Sequence, residues 1–189
     1  FRACSWRQQI LDIYGTDRWY LNVDSDELFH VDEKIEEYID FINKDGCKSV
    51  KTIMVDVYSK KPIFKNNNIS DMKFVDSNTY KTEINPFYGL RIYGGPRGRV
   101  FGLRSSLQKV PLLYYTGNEL IVNDHYVFPK ELNFVNISSV IFHYKFLPNS
   151  LSLYKDMAKN EVHWQDSKEY KKYLSAYEDD AKLSMFSKD

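Results

Sequence analysis

The stretch WYLNVDSDELF, residues 19–29, decides the fold expected for this chain. Apolar and polar residues alternate along it, which predicts a strand over Trp19–Asp26 with the apolar side chains on one face. Asp24 and Asp26 then share the other face, with Cα atoms about 6 to 7 Å apart. Two carboxylates at that distance repel by roughly 2 to 3 kcal/mol unless a cation lies between them. The stretch is therefore either a cation site at the end of a strand or an ordinary polar strand end.

Hard carboxylate oxygens favour Mg²⁺, Mn²⁺ or Ca²⁺ over softer metals, and an ion with few protein ligands can also bind phosphates. The alternative is a solvated strand end with an aspartate that caps the next helix. Two other acidic motifs fit poorly. An EF-hand loop would have an Asp or Asn and then a Gly where this chain has Leu28 and Phe29. An aspartyl phosphatase would have a small hydroxyl residue shortly after its D-x-D, and this chain has none there.

The composition indicates a folded chain with no bulk attraction to polyanions. It has 189 residues, 43% of them hydrophobic, and its 26 basic and 26 acidic residues cancel. We therefore expect one domain over 1–189 and no nucleic-acid partner. No run of 18 apolar residues occurs, so any membrane contact is expected to be peripheral. Two cysteines without C-x-x-C spacing indicate reduced thiols and a cytoplasmic location.

The order of predicted elements indicates an α/β domain. Helices are expected over about 4–14 and from a cap at Asp32 to a stop at Gly46. Long polar sequence over 59–86 suggests an excursion with short elements. The remaining strands are predicted at 50–58, 110–115 and 138–146, before a helical C-terminal region.

A basic, glycine-rich segment follows the excursion. Arg97, Arg99 and Lys109 lie in or after GGPRGRVFG, residues 94–102, which reads as a turn. Such a turn can hold phosphate through backbone N–H groups and guanidinium forks, although solvated loop charge explains the pattern equally well. The segment is not a P-loop, because G-x-x-x-x-G-K-[ST] does not occur.

Several motifs in the same order resemble one bacterial branch of the family 2-like glycosyltransferases, which have a GT-A fold. They are VDSDELF, MVDVY, GGPRGRVFG, KVPL, FHYKF and the closing EYKKY. The resemblance covers nearly the whole chain. It implies a Rossmann-like mixed sheet with flanking helices. It also implies transfer of a sugar from a nucleotide-diphosphate sugar to a glycan or another hydroxyl acceptor.

The resemblance implies Mn²⁺ or Mg²⁺ as the cofactor. Asp26 would be the first ligand and Asp24 the second. His143 matches the C-terminal histidine that GT-A enzymes often add, with His125 as the runner-up. A histidine among apolar neighbours is also commonly a core residue bonded to backbone, and both interpretations of His143 stay open.

The acceptor hydroxyl needs a general base if the enzyme inverts, as the family usually does. Asp56, at the end of a predicted strand, is the first candidate, followed by Asp124 and Glu119. The alternative for Asp56 is a cap or turn residue. Arg97, Arg99 and Lys109 would bind the donor diphosphate or an anionic acceptor.

Compared with a complete GT-A domain, the N-terminal nucleotide-binding strands are missing, so we expect 1–189 to be a fragment with little activity by itself. Its regions would be 1–58 for the D-x-D, 59–147 for acceptor and metal, and 148–189 for the C-terminal helices. Two other functions stay open. One is a carbohydrate-binding or adaptor module with a degenerate site, and the other is an Asp-dependent phosphatase or phosphodiesterase.

Overall fold

The computed structural model describes residues 2–65, 68–86, 89–147, 150–161 and 164–186. It contains five α-helices and nine strands in these ranges, and this confirms the α/β class. The helices are α1 (Arg2–Tyr14), α2 (Ile35–Lys44), α3 (Gly95–Phe101), α4 (Ser150–Asn160) and α5 (Trp164–Asp179). The strands are β1 (Arg18–Leu21), β2 (Glu27–His30), β3 (Ser49–Asp56), β4 (Tyr80–Asn85), β5 (Gly89–Gly94), β6 (Gln108–Tyr115), β7 (Leu120–Ile121), β8 (Val127–Phe128) and β9 (Ile137–His143).

The main sheet has five strands in the order β1-β6-β3-β9-β2, and two-stranded sheets pair β4 with β5 and β7 with β8. β6 pairs antiparallel with β1 on one side and with β3 on the other. Nearly all residues of β6 and β3 are buried, including the polar side chains of Lys51, Gln108 and Lys109. Helix α2 covers part of this sheet, with Tyr38 and Ile42 packed against Val50 and Leu112.

The D-x-D segment is a turn, so the prediction of one strand over Trp19–Asp26 is wrong. Strand β1 ends at Leu21, and the N–H of Glu27 bonds to the Asp24 carbonyl at 3.1 Å, which closes a four-residue turn. Aspartate and serine favour turns because their side chains bond to nearby backbone, and this local preference overrides the alternation. The turn leads into β2 at the opposite edge of the sheet, which requires the sheet to curl.

The glycine-rich segment forms helix α3, which corrects its interpretation as a turn. Pro96 lies in the first turn, and Gly102 ends the helix in the left-handed conformation, at φ 61°. Gly94 precedes the helix at φ 103°, and a Cβ there would lie 2.5 Å from the Thr79 carbonyl oxygen. Only glycine suits that position. Helix α3 therefore carries Arg97 and Arg99 in a fixed orientation.

Helix α2 begins later than predicted. Its N-cap is Lys34, without a side-chain cap bond, so the expected cap at Asp32 is wrong. Glu36 and Glu37 in the first turn face the positive end of the helix dipole and replace the missing cap in part. The end of the helix agrees with the sequence, because the Gly46 N–H bonds to the Asn43 carbonyl.

The chain divides into two compact units. Unit 1 comprises Phe1–Met54, Lys81–Tyr93 and Ser106–Phe142, and unit 2 comprises Val55–Tyr80, Gly94–Ser105 and His143–Asp189. Within the described ranges, no helix is long and apolar enough to cross a bilayer.

Candidate functional site

The turn at the end of β1 brings together carboxylates and a buried lysine of unit 1. The Lys109 ammonium bonds to Asp24 Oδ2 at 3.1 Å and to Glu27 Oε2 at 2.7 Å. Lys109 and Glu27 are both almost fully buried, with side chains 1% and 2% exposed, whereas Asp24 is 39% exposed. The Asp24 backbone N–H also donates to Glu27 Oε2 at 2.8 Å. Lys109, predicted to bind donor phosphate, therefore fixes the D-x-D turn.

A second cation, Arg7 of α1, contacts the same turn. Its Nη2 donates to Asp24 Oδ1, and its Nη1 donates to Asp124 Oδ1. Each oxygen of Asp24 thus bonds to a different basic side chain. Burial alone would raise the pKa of Asp24, as would the charge of Asp26, but Lys109 and Arg7 hold that pKa below its ordinary value. Asp24 is therefore an anion at neutral pH.

Of the three runner-up residues in unit 1, Asp124 bonds to Arg7, and the other two have partners of their own. His125 Nδ1–H donates to the Gln108 carbonyl at 2.8 Å, and burial lowers the pKa of His125, so its imidazole is neutral at pH 7. Glu119 accepts bonds from the Thr116 N–H and hydroxyl at 2.6 and 2.8 Å, which holds a turn.

Asp24 and Asp26 are the hard oxygen donors that a divalent ion would use at the D-x-D turn, and they would leave its other coordination positions open. Asp26 lies near enough for its charge to act on Asp24, and Arg7 and Lys109 both bond to Asp24. No group of three or more His, Cys, Asp or Glu among the described residues is arranged to hold a metal. An ion at Asp24 and Asp26 would therefore depend on outside ligands such as phosphate oxygens.

In unit 2 the structure brings together three predicted site residues. Arg97 Nε donates to Asp56 Oδ2 at 2.9 Å, and His143 Nδ1–H donates to Asp56 Oδ1 at 2.6 Å. The side chains of all three are 6% exposed or less. Asp56 ends β3, His143 ends β9, and Arg97 lies on α3.

Two residues of α5 extend this group, which we call the Arg97 network. Glu169 accepts from Arg97 Nη1 at 2.9 Å and from the Ser105 hydroxyl at 3.0 Å, and the Tyr173 hydroxyl also donates to it. The motif EYKKY carries both residues, but its helical spacing indicated only a C-terminal helix. Their inward orientation depends on Arg97, which is 72 residues from Glu169 in sequence.

Asp56 and Glu169 both keep their charge to low pH. Burial would raise the pKa of each carboxyl, but for Asp56 the charges and hydrogen bonds of Arg97 and His143 lower the pKa to about 2. For Glu169, the charges of Arg97 and Lys145, with the Tyr173 and Ser105 hydrogen bonds, also lower the pKa to about 2. A carboxylate with so low a pKa accepts a proton poorly at pH 7. The role of Asp56 as a base stays a prediction.

Acid is therefore expected to weaken unit 2 in a defined pH range. The ordinary pKa of Glu169 is 4.5, so its ion pair stabilises the fold fully above that pH and is lost as pH falls toward 2. In urea denaturation, wild type should exceed Glu169→Gln in unfolding free energy by about 2 to 3 kcal/mol at pH 6. That difference should shrink toward zero by pH 2. A difference independent of pH would contradict the ion pair.

Arg99 has partners of its own in unit 2. Its Nε and Nη2 bond to the two oxygens of Asp76 at 3.1 and 2.9 Å, and Nη2 also donates to the Met185 carbonyl at 2.7 Å. Phosphate binding by Arg97 or Arg99 would require these bonds to exchange. Their role toward the donor, like the role of His143 toward a metal, stays a prediction.

Comparison of the chain with protein-family models, with curated proteins and with solved structures gives no significant match.

Proposed function

We propose that the chain is part of a metal-dependent glycosyltransferase that moves a sugar from a nucleotide-diphosphate sugar to an acceptor hydroxyl. The observation that supports this proposal is the D-x-D turn. Asp24 and Asp26 lie in the turn that joins the edge strands β1 and β2, close enough for the charge of Asp26 to act on Asp24. The ordered motifs that resemble family 2-like enzymes support the same assignment and, with it, a GT-A fold.

Asp26 and Asp24 would hold Mn²⁺ or Mg²⁺. When bound, the ion would neutralise charge on the diphosphate leaving group. The resemblance makes Asp26 the first ligand, and a metal at Asp24 would compete with the two basic side chains bonded to its oxygens. Lys109 orients the turn by bonding to Asp24 and Glu27 at once.

Binding of Mn²⁺ and a diphosphate should depend on each other. Using calorimetry with UDP and with inorganic pyrophosphate, we expect Mn²⁺ to raise the affinity for either ligand at least about tenfold, because the ion bridges carboxylates and phosphates. Asp26→Ala should abolish that gain. Asp40→Ala, which removes an exposed carboxylate of α2, should retain it. Equal affinities with Mn²⁺ and with EDTA would refute the proposal.

A second function, a carbohydrate-binding module with a degenerate site, is favoured by one observation. Asp24 is neutralised by two basic side chains of the chain itself, as expected for a turn that binds no metal. Such a module would bind glycans with the same affinity in Mn²⁺ and in EDTA. The calorimetric comparison above therefore separates the two functions.

A further inference from the structure

Arg7 lies where a bound metal would have to compete for Asp24. Its guanidinium bonds to two carboxylates, because Nη2 donates to Asp24 and Nη1 donates to Asp124. A planar fork of this kind can change the partner of one arm while the other arm stays in place. The positive charge of Arg7 therefore lies on Asp24, one of the two carboxylates expected to bind the metal.

The two cations on Asp24 differ in how easily they can move. Lys109 is 1% exposed and lies in β6 inside the sheet, and its departure would leave Glu27 buried without its cation. Arg7 is 20% exposed, and its second partner, Asp124, is 54% exposed. An incoming divalent ion would therefore displace Arg7 and leave Lys109 in place.

We propose that Arg7 is a place-holding cation that moves one arm from Asp24 to the diphosphate when the metal binds. This inference rests on the proposed function. Nη1 stays on Asp124, which acts as a positioning residue, while Nη2 exchanges a carboxylate oxygen for a phosphate oxygen next to the ion. The exchange keeps the guanidinium paired in both states. It also makes metal and diphosphate favour each other's binding, because the metal releases the arm that the phosphate takes up.

The exchange predicts opposite changes in two affinities. In Arg7→Gln the competing cation is gone, so Mn²⁺ alone should bind about tenfold more tightly than to wild type. Pyrophosphate in the presence of saturating Mn²⁺ should bind about tenfold more weakly, because a bidentate phosphate donor is lost. Both affinities are measured by calorimetry, and circular dichroism verifies that the variant is folded.

Two further variants separate charge from geometry. Arg7→Lys restores a positive charge without the fork, so it should return Mn²⁺ affinity toward wild type and leave pyrophosphate binding weak. Arg18→Gln removes an exposed arginine of β1 and should change neither affinity.

The outcomes distinguish this inference from the proposed function. If wild type shows no Mn²⁺-dependent binding of pyrophosphate, the proposed function itself fails. If wild type shows it, but Mn²⁺ alone binds Arg7→Gln no more tightly, the place-holding role of Arg7 is wrong and the function stands. A gain in Mn²⁺ affinity with unchanged pyrophosphate binding also overturns the exchange, because Arg7 would then be only a competitor.

Discussion

Arg97→Met is expected to lower the free energy of unfolding by about 3 to 5 kcal/mol, because it leaves the Asp56 carboxylate buried without its cation. Asp56 is 1% exposed, and the guanidinium of Arg97 is its only arginine or lysine partner among the described residues within salt-bridge distance. The His143 hydrogen bond remains but does not by itself supply a fixed positive charge. Glu169 loses its arginine as well, although its side chain is 28% exposed and reaches water.

Urea denaturation at pH 7, followed by circular dichroism, measures this loss. The control is Lys155→Met, which removes an exposed lysine of α4 in unit 2 and should change stability by less than about 0.5 kcal/mol. The double variant Arg97→Met with Asp56→Asn should recover part of the loss, because the unpaired charge is then gone. A loss below about 1 kcal/mol for Arg97→Met would show that the Arg97 network contributes little.

Local patterns in the sequence predicted the elements in which neighbouring residues all favour the same structure. Strand β6 and the end of α2 follow directly from an apolar run and a glycine stop. The D-x-D segment was wrongly predicted as a strand, because three turn-forming residues interrupt an otherwise regular alternation. The glycine-rich segment was wrongly predicted as a turn, because Pro96 and Gly102 fit the start and end of a helix as well as they fit turns.

The side-chain networks could not be predicted, because they join residues far apart in sequence. Asp56 and Arg97 are separated by 41 positions, and Asp24 and Lys109 by 85. Each residue was singled out for its chemistry, but nothing local indicated that a predicted base would bond to a predicted phosphate ligand. Arg7 carried no signal at all, since SWRQQ is an ordinary helical sequence. Only the packing of α1 beside the turn gives that residue a role.

Lys109→Met should also cost about 3 to 5 kcal/mol of unfolding free energy, through Glu27 in unit 1. The Glu27 side chain is 2% exposed, and Lys109 Nζ lies 2.7 Å from its Oε2. Methionine fills a similar volume, so the loss would come from the unpaired carboxylate and not from a cavity. The control is Lys44→Met, which removes an exposed lysine at the end of α2 and should be nearly neutral in the same urea denaturation.

The double variant Lys109→Met with Glu27→Gln separates the two roles open to this lysine. Neutralising both partners should restore most of the stability, since no buried charge is then left alone. In this double variant Asp24 keeps Arg7 as a partner, and Asp26 is unchanged. If Lys109 only orients the turn, Mn²⁺-dependent pyrophosphate binding should therefore stay within about threefold of wild type. A loss of about a hundredfold in the refolded double variant would instead assign Lys109 a direct contact with the diphosphate.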